Sequence, residues 1–251
     1  MKLPLLSLLV ALSLYASSSA CPKFYLDGIS PEFTNDKLSQ NTQELCYEAF
    51  GVMHSGITKT PLWSAEILLR ENLENKPPRK DVFHEESKLP RNERSELSDF
   101  IHSGYDRGHL SPSADMPTQS AQAESFTLAN IIPQVHTSNA GVWSSIESAT
   151  RYFAKKEGAI YVITGPLYLG KSVKSIGNGV LVPTMIYKII YSIKQQKGAV
   201  YIVQNAASEA YQIISIQELE KISGISYFPK LNNFQKSQML QLPEPKKISK
   251  R

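Results

Sequence analysis

Two apolar segments separated by a short polar turn constrain the fold of this chain more than any other feature. Residues 187–193 and 199–203 are rich in Ile, Val and Tyr, and Lys194-Gln-Gln-Lys-Gly198 lies between them. A turn of this length can join antiparallel strands, whereas parallel strands need a crossover of about a dozen residues or more. The pattern therefore predicts an antiparallel β-hairpin.

Further strand and helix signals surround this hairpin. Residues 62–69, 159–164 and 211–215 are apolar-rich runs of strand length. Ser215 and Glu218 have the spacing of a capping box, which predicts a short helix directly after the last of these strands. Strands joined by hairpins, with helices inserted between them, favour an α+β fold in which helices flank a central antiparallel sheet.

A second helix is predicted from about Asn139 to Lys156, because apolar residues recur there with helical spacing. The stripe that should face the core consists of Val142, Ile146, Ala149 and Phe153. A polar row beside it steps every fourth residue and consists of Asn139, Trp143, Glu147 and Arg151.

Each member of that row also has an ordinary structural explanation. Asn139 could cap the helix, because asparagine accepts hydrogen bonds from free backbone amides. Trp143 could serve packing alone. Glu147 and Arg151 could form an i,i+4 ion pair on the helix surface.

The segment Tyr105-Asp-Arg-Gly-His109 brings an acid, a cation, a glycine and an imidazole into one short stretch. Alternation in an extended chain places Arg107 and His109 on one face and Asp106 on the other. An imidazole that accepts a proton, an amide oxygen that holds a hard cation and an arginine that binds phosphate suffice for metal-assisted phosphodiester hydrolysis. The combination of this segment with the polar row indicates that chemistry, although a buried core histidine is the alternative for His109 alone.

The amino terminus predicts export. Lys2 precedes an apolar stretch, and Ser18-Ser-Ala20 supplies small residues at a cleavage position, so residues 1–20 are interpreted as a signal peptide. We therefore expect a periplasmic or secreted protein with one domain at 21–243, a basic tail at 244–251 and no transmembrane segment.

The chain has two cysteines, Cys21 and Cys46. In an oxidising compartment we expect them to form a disulfide. The alternative is a lipid anchor on Cys21, which would follow the cleavage site directly.

Several other sites are not indicated. The remaining histidines show no metal-ligand spacing, and neither a glycine-rich phosphate loop nor a Gly-x-Ser-x-Gly segment occurs. The net charge of +4 is too mild to imply nucleic acid by itself. Residues 71–103, rich in charge and proline, are predicted to form a surface loop with little regular structure.

The ordered motifs resemble the DNA/RNA non-specific endonuclease family, which includes mitochondrial endonuclease G and has the ββα-metal, or His-Me finger, fold. The resemblance rests on residues 106–109, on Asn130-Ile-Ile-Pro-Gln134 and on the polar row that begins at Asn139. It extends to shorter matches around residues 61–63, 164–166 and 218–224, and so covers most of residues 45–230.

The resemblance implies roles for these residues. His109 would be the general base, and Asn139 would be the one direct protein ligand of a divalent ion, Mg²⁺ with Mn²⁺ as a substitute. Glu147 would order the metal-bound waters, and Arg151 would contact the scissile phosphate. Asp106, Asn130 and Gln134 would position the site. Arg107 would either brace the motif or face phosphate.

One position departs from the family pattern. Members often have an arginine directly after the phenylalanine that corresponds to Phe83, as a second phosphate contact, but here His84 follows. His84, Arg79 or Arg91 could take that role.

DNA and/or RNA is the expected substrate, with a dimer among the oligomeric states left undecided. A non-catalytic nucleic-acid-binding protein of DNA uptake and a hydrolase of another phosphodiester are the alternatives.

Overall fold

A computed structural model describes residues 19–74 and 76–246. The strands, in chain order, are β1 (Glu32–Phe33), β2 (Thr42–Cys46), β3 (Phe50–Ser55), β4 (Thr60–Leu69), β5 (Asp106–His109), β6 (Ile131–Gln134), β7 (Ala159–Leu167), β8 (Ser175–Ile176), β9 (Val180–Leu181), β10 (Met185–Ser192), β11 (Lys197–Gln204), β12 (Tyr211–Ile214) and β13 (Ile225–Ser226). The α-helices are α1 (Leu97–Phe100), α2 (Gln119–Ser125), α3 (His136–Ser138), α4 (Ser144–Glu157), α5 (Ile216–Ser223) and α6 (Asn233–Ser237). A π-helical turn, Asn139–Trp143, joins α3 to α4.

Seven strands form the central sheet in the order β12-β11-β10-β7-β4-β3-β2. Every neighbouring pair is antiparallel. The predicted hairpin is β10–β11, in which Ile189 lies opposite Val200. The α+β fold with a central antiparallel sheet is therefore confirmed.

The middle strands bury both faces, because helices cover the sheet from two sides. On one face Tyr187 and Ile189 pack in a core layer with Leu219 of α5. On the other face Ile186 and Ile190 pack with Ile146 and Phe153 of α4 and with Val142 of the π-helical turn, three of the four residues of the predicted apolar stripe. This second layer supports the polar row of the same helix.

The short strands β5 and β6 form a separate antiparallel hairpin, and the helical run from α3 through α4 follows it directly. This ββα unit carries the predicted site residues except His84 and Asn130. The helical run begins at His136, three residues before the predicted start at Asn139. Its N-cap, Val135, has no side chain that could cap, so the sequence lacks a local signal for the true start.

Other local predictions are confirmed or corrected. Ser215 and Glu218 form the expected capping box at the start of α5. The strands β2 and β3 were not predicted. Residues 71–103 contain the helix α1 and two 3₁₀ turns, Glu71–Leu73 and Arg91–Glu93, so this segment is more ordered than expected.

Cys21 and Cys46 form the predicted disulfide, which ties the start of the described chain to β2. The bond uses the sulfur atom that a lipid anchor on Cys21 would need. Most of the predicted signal peptide (residues 1–18) and the end of the basic tail (247–251) lie outside the described residues. None of the helices in the described ranges has the length and apolar character that crossing a bilayer demands.

Candidate active site

The β5–β6 hairpin depends on a glycine where two strands approach closely. A Cβ atom on Gly108 would overlap Oε1 of Gln134 and lie 2.8 Å from its Cβ atom, so another residue at this position would force the buried Gln134 to shift. Gln134 is fully buried, and neither of its amide atoms has a hydrogen-bond partner among the described residues. The Gln134 side chain therefore packs across the hairpin backbone at the position next to His109.

His109 lies between two phenylalanine rings, and we call these three residues the aromatic wall. The ring centroids of Phe83 and Phe126 are 5.4 and 5.0 Å from that of the imidazole. The Nε2 atom of His109 is buried and has no hydrogen-bond partner in the described chain. Burial, together with the positive charge of Arg79, lowers the pKa of His109 to about 3. The imidazole is therefore neutral at physiological pH and able to accept a proton.

Asp106 orients the side chain of Asn139. Its Oδ2 atom accepts a hydrogen bond of 3.0 Å from Nδ2 of Asn139 and one of 2.8 Å from Nδ1 of His136. Because the amide nitrogen of Asn139 is turned toward this carboxylate, its Oδ1 atom points away from it. Asn139 has helical backbone angles and its side chain caps no helix, so the capping explanation is wrong.

Asn139 begins the π-helical turn, in which Gly141 departs from helical geometry with φ −102° and ψ −110°. Such turns occur often at functional sites, where they shift a side chain out of the regular helical row. The polar row is therefore not a straight line of side chains four residues apart.

Arg151 forms its ion pair with Asp115, not with Glu147. Nη1 of Arg151 lies 2.9 Å from Oδ1 of Asp115, and both side chains are largely buried. The alternative of an i,i+4 pair with Glu147 is therefore wrong. We call Asp115, Glu147 and Arg151 the charged wall.

Glu147 is half-buried on α4. Burial raises the pKa of Glu147 to about 7, and the nearby positive charges of Lys188 and Arg151 limit the rise. Its carboxyl group is thus close to the point where it gains or loses a proton at neutral pH.

A surface cleft of about 350 Å³ is lined by Asp106, Arg107 and Asn139 together with Arg79 and Phe83. His109, Glu147 and Arg151 are not among its lining residues, and Phe83 separates the cleft from the His109 ring that it contacts. The guanidinium of Arg107 lies 4.4 Å from the Phe83 ring centroid, so Arg107 and His109 contact the same ring and share a face, as alternation predicts. Arg79 is also an electrostatic neighbour of His109 and of Glu147.

Asn130 is fully buried, and its side chain makes three hydrogen bonds. Its Nδ2 atom donates to the carbonyl groups of Ser111 and Ser125, and its Oδ1 atom accepts from the backbone amide of Ser111. These bonds hold the chain that leaves His109. Asn130 therefore positions the segment and leaves no polar atom for chemistry.

The three candidates for a second phosphate contact occupy different places. His84 is exposed, and its ring nitrogens face the carbonyl oxygens of Glu85 and Ala123 at 3.3 Å, away from the cleft lining. Arg91 forms an exposed bidentate pair with Glu96. Only Arg79 of these three lines the cleft.

Sequence reasoning did not single out two contributors, Phe83 as a wall and Asp115 as the partner of Arg151. Phe83 was noted only as the residue before His84. No motif within Ser113–Asp115 marks the carboxylate, because its partner is 36 residues away in the chain.

The residues present fit a weakly coordinated hard cation. No group of three or more His, Cys, Asp or Glu side chains within 19–74 and 76–246 is arranged to hold a metal. An oriented amide oxygen beside a polar cleft is, however, a ligand that Mg²⁺ accepts, since this ion keeps most of its waters. Asn139 is the residue that could hold it.

Comparison with known proteins identifies the family to which the chain belongs. Residues 29–234 match the family model described as DNA/RNA non-specific endonuclease. The mitochondrial nuclease EXOG of Danio rerio is 32% identical over 72% of this chain and 59% of its own length. Nuclease C1 of Cunninghamella echinulata var. echinulata is 31% identical over 74% of this chain and 82% of its own length. The chain thus spans about three fifths of the EXOG relatives.

A solved structure agrees. A chain from the crystal structure of the EndoG/EndoGI complex superposes with a TM-score of 0.72 at 26% identity, covering 78% of this chain and 89% of that one. The chain belongs to the DNA/RNA non-specific endonuclease family.

Proposed function

We propose that this protein hydrolyses phosphodiester bonds in DNA and/or RNA with little sequence specificity and depends on a divalent ion. The observation that carries the proposal is the hydrogen bond from Asn139 to Asp106. It directs the amide oxygen away from Asp106 in the cleft that Phe83 separates from a neutral histidine. Family membership supports the same reaction.

His109 acts as the general base in this proposal. Its Nε2 atom is buried, so we assign proton transfer to Nδ1, the other ring nitrogen. A phosphate bound beside Arg79 offsets the positive charge that lowers the pKa of His109, which strengthens the imidazole as a base. The base then takes a proton from the water that attacks phosphorus, the bond from phosphorus to the leaving ester oxygen breaks, and that oxygen gains a proton from solvent water.

Asn139 is the residue that would hold the ion, Mg²⁺ with Mn²⁺ as a substitute. When bound there, such an ion would supply Lewis-acid stabilisation of negative charge on the phosphate oxygens. Glu147 accepts hydrogen bonds from waters beside Asn139, and Asp106 keeps the amide oriented. The pairing of Asp106 with His136 holds this carboxylate in place.

Arginines bind the substrate. Arg79 takes the second phosphate contact, because it lines the cleft and is an electrostatic neighbour of both walls. Arg107 faces phosphate from the same cleft, with its guanidinium 4.4 Å from the Phe83 ring centroid. Arg151, held in place by its ion pair with Asp115, contacts the scissile phosphate in this proposal.

We also propose that the protein acts in the periplasm or outside the cell, after removal of residues 1–20. The support is the sequence of the amino terminus and the disulfide at Cys21.

The test is incubation of the mature protein with plasmid DNA and with RNA, with and without Mg²⁺ and EDTA. We expect nicking and fragmentation that EDTA abolishes. Binding without cleavage under every metal condition would contradict the proposal and favour a DNA-uptake protein. Cleavage of a small diester that nucleic acid does not inhibit would instead favour another phosphodiester as substrate.

A further inference from the structure

A buried lysine lies beneath both walls of the site. Lys188 is in the middle of β10, only 1% exposed, on the sheet face that also carries Ile186 and Ile190. A lysine is almost never fully buried in a protein unless its ammonium group has partners. The position of this residue therefore calls for an explanation.

The Nζ atom of Lys188 joins three separate elements. It donates hydrogen bonds to Oγ1 of Thr164 on β7 at 2.6 Å and to the carbonyl oxygen of Leu110 at 3.4 Å. It also lies 5.5 Å from the ring centroid of Trp143 in the π-helical turn. Leu110 directly follows His109, and the turn that contains Trp143 begins at Asn139. One ammonium group thus contacts the segments that carry the proposed base and the proposed metal ligand.

The charges around Lys188 indicate which group it serves. Asp115 is already paired with Arg151. Glu66, on β4, is 1% exposed, and neither of its carboxyl oxygens has a hydrogen-bond partner among the described residues. Burial raises the pKa of Glu66 well above its ordinary value, and the charge of Asp115 adds to the rise. Burial therefore favours the uncharged form of Glu66. Glu147 lies one helical turn after Trp143, whose ring the Lys188 ammonium faces, and Lys188 is the first of the positive charges that counter the rise in the pKa of Glu147.

We propose that Lys188 is a positioning residue of the nuclease site: it holds the Leu110 carbonyl against the sheet and supplies the counter-charge for Glu147. Glu66 is a neutral neighbour that takes no part in the reaction. This role rests on the proposed function, because it concerns the same site.

The test compares two substitutions at equally buried positions, Lys188→Met and Glu66→Gln. Glutamine imitates a protonated glutamate, so Glu66→Gln should keep kcat within about twofold and should not lower the melting temperature. Lys188→Met should lower kcat by about 10–100-fold, the usual effect of losing a group that orients a metal-site residue. KM for a short fluorescent oligonucleotide should stay within about twofold, because Lys188 does not reach the cleft.

The double variant Glu66→Gln/Lys188→Met separates this role from simple charge balance in the core. If Lys188 serves Glu147, the double variant should be as inactive as Lys188→Met. Recovery of kcat in the double variant, or parental kcat in folded Lys188→Met, would overturn the proposal. A defect confined to KM would also contradict it.

If Lys188→Met does not fold, Thr164→Val tests the proposal in its place, because it keeps the lysine and removes one of its hydrogen-bond acceptors. We expect a folded protein with kcat lowered at least threefold, and an unchanged kcat would overturn the proposal. The parental protein and Asn139→Ala are assayed alongside. An inactive parental protein contradicts the proposed function itself, whereas an active parental protein with fully active lysine variants contradicts only the role of Lys188.

Discussion

The aromatic wall and the charged wall surround their titratable groups with different neighbours, apolar rings in the first and charged side chains in the second. His109 is packed between two phenylalanine rings, without a hydrogen-bond partner for Nε2 in the described chain. Glu147 has a buried ion pair beside it and a buried lysine beneath it. Yet burial has the same physical effect on both residues, since it disfavours the charged form of each.

The difference shows how one region can contain a neutral imidazole, His109, and a carboxyl group that titrates near neutral pH, Glu147. Burial disfavours the charged imidazolium of His109 and the charged carboxylate of Glu147. The pKa of the histidine therefore falls and that of the glutamate rises. Positive charges reinforce the first shift and oppose the second. Arg79 takes part in both effects and therefore links the two walls.

The largest expected effect is on the aromatic wall. His109→Ala should lower kcat by about 10²–10⁴-fold, because it removes the proposed general base. Fold and nucleic-acid binding should be retained, as measured by circular dichroism and by gel shift. Near-parental cleavage by a folded His109→Ala protein would remove the base from this wall.

In the cleft lining, Asn139→Ala should lower activity at least about 100-fold at ordinary Mg²⁺, because it removes the proposed metal ligand. High Mg²⁺ or Mn²⁺ should restore part of the loss. Asn139→Ser should fold but be much less active, since its hydroxyl is shorter. The measurement is the metal dependence of cleavage. A lower melting temperature with an unchanged metal dependence would contradict the ligand role.

The link between the walls is tested by Arg79→Ala, with His84→Ala as the matched control. Loss of a charge-assisted phosphate contact should lower kcat/KM by about 10–100-fold. His84 lies outside the cleft lining, so its replacement should change kcat/KM by less than about twofold. Equal losses in the two variants would show that the cleft extends past Phe83 to the exposed histidine.

The smallest effect concerns stability and pH. The folded protein resists protonation of His109, so this residue makes the free energy of unfolding rise with pH between about 3 and 6.5. Glu147 keeps its proton to a higher pH in the folded state than in the unfolded state. It therefore makes the free energy of unfolding fall between pH 4.5 and about 7. The two slopes oppose each other between 4.5 and 6.5.

Single substitutions should therefore reveal each slope. Relative to the parental protein, Glu147→Gln should be less stable at pH 5 than at pH 6.5, and His109→Asn should show the reverse. Each difference amounts to at most about 1.4 kcal/mol per pH unit. Urea unfolding at several pH values measures it, and parallel curves for all three proteins would contradict the opposite shifts.

Much of the fold could be predicted because its signals are local. The β10–β11 hairpin, β7 and the capping box at Ser215 each depend on neighbouring residues. The strands β2 and β3 gave weaker signals: β2 is an edge strand with mixed exposure, and β3 contains Gly51 and His54. Their pairing with β4 depends on contacts across the sheet, which no short window of sequence contains.

By itself the sequence predicted the α+β class from apolar period and a disulfide from its two cysteines. The residues of the ββα unit followed from the resemblance of the ordered motifs to a known family. Only the tertiary structure decided that Arg151 pairs with Asp115, that Asp106 orients Asn139, and that a lysine lies beneath both walls. The physical reason is that ion pairs, burial and the resulting pKa shifts depend on distances between residues far apart in the chain.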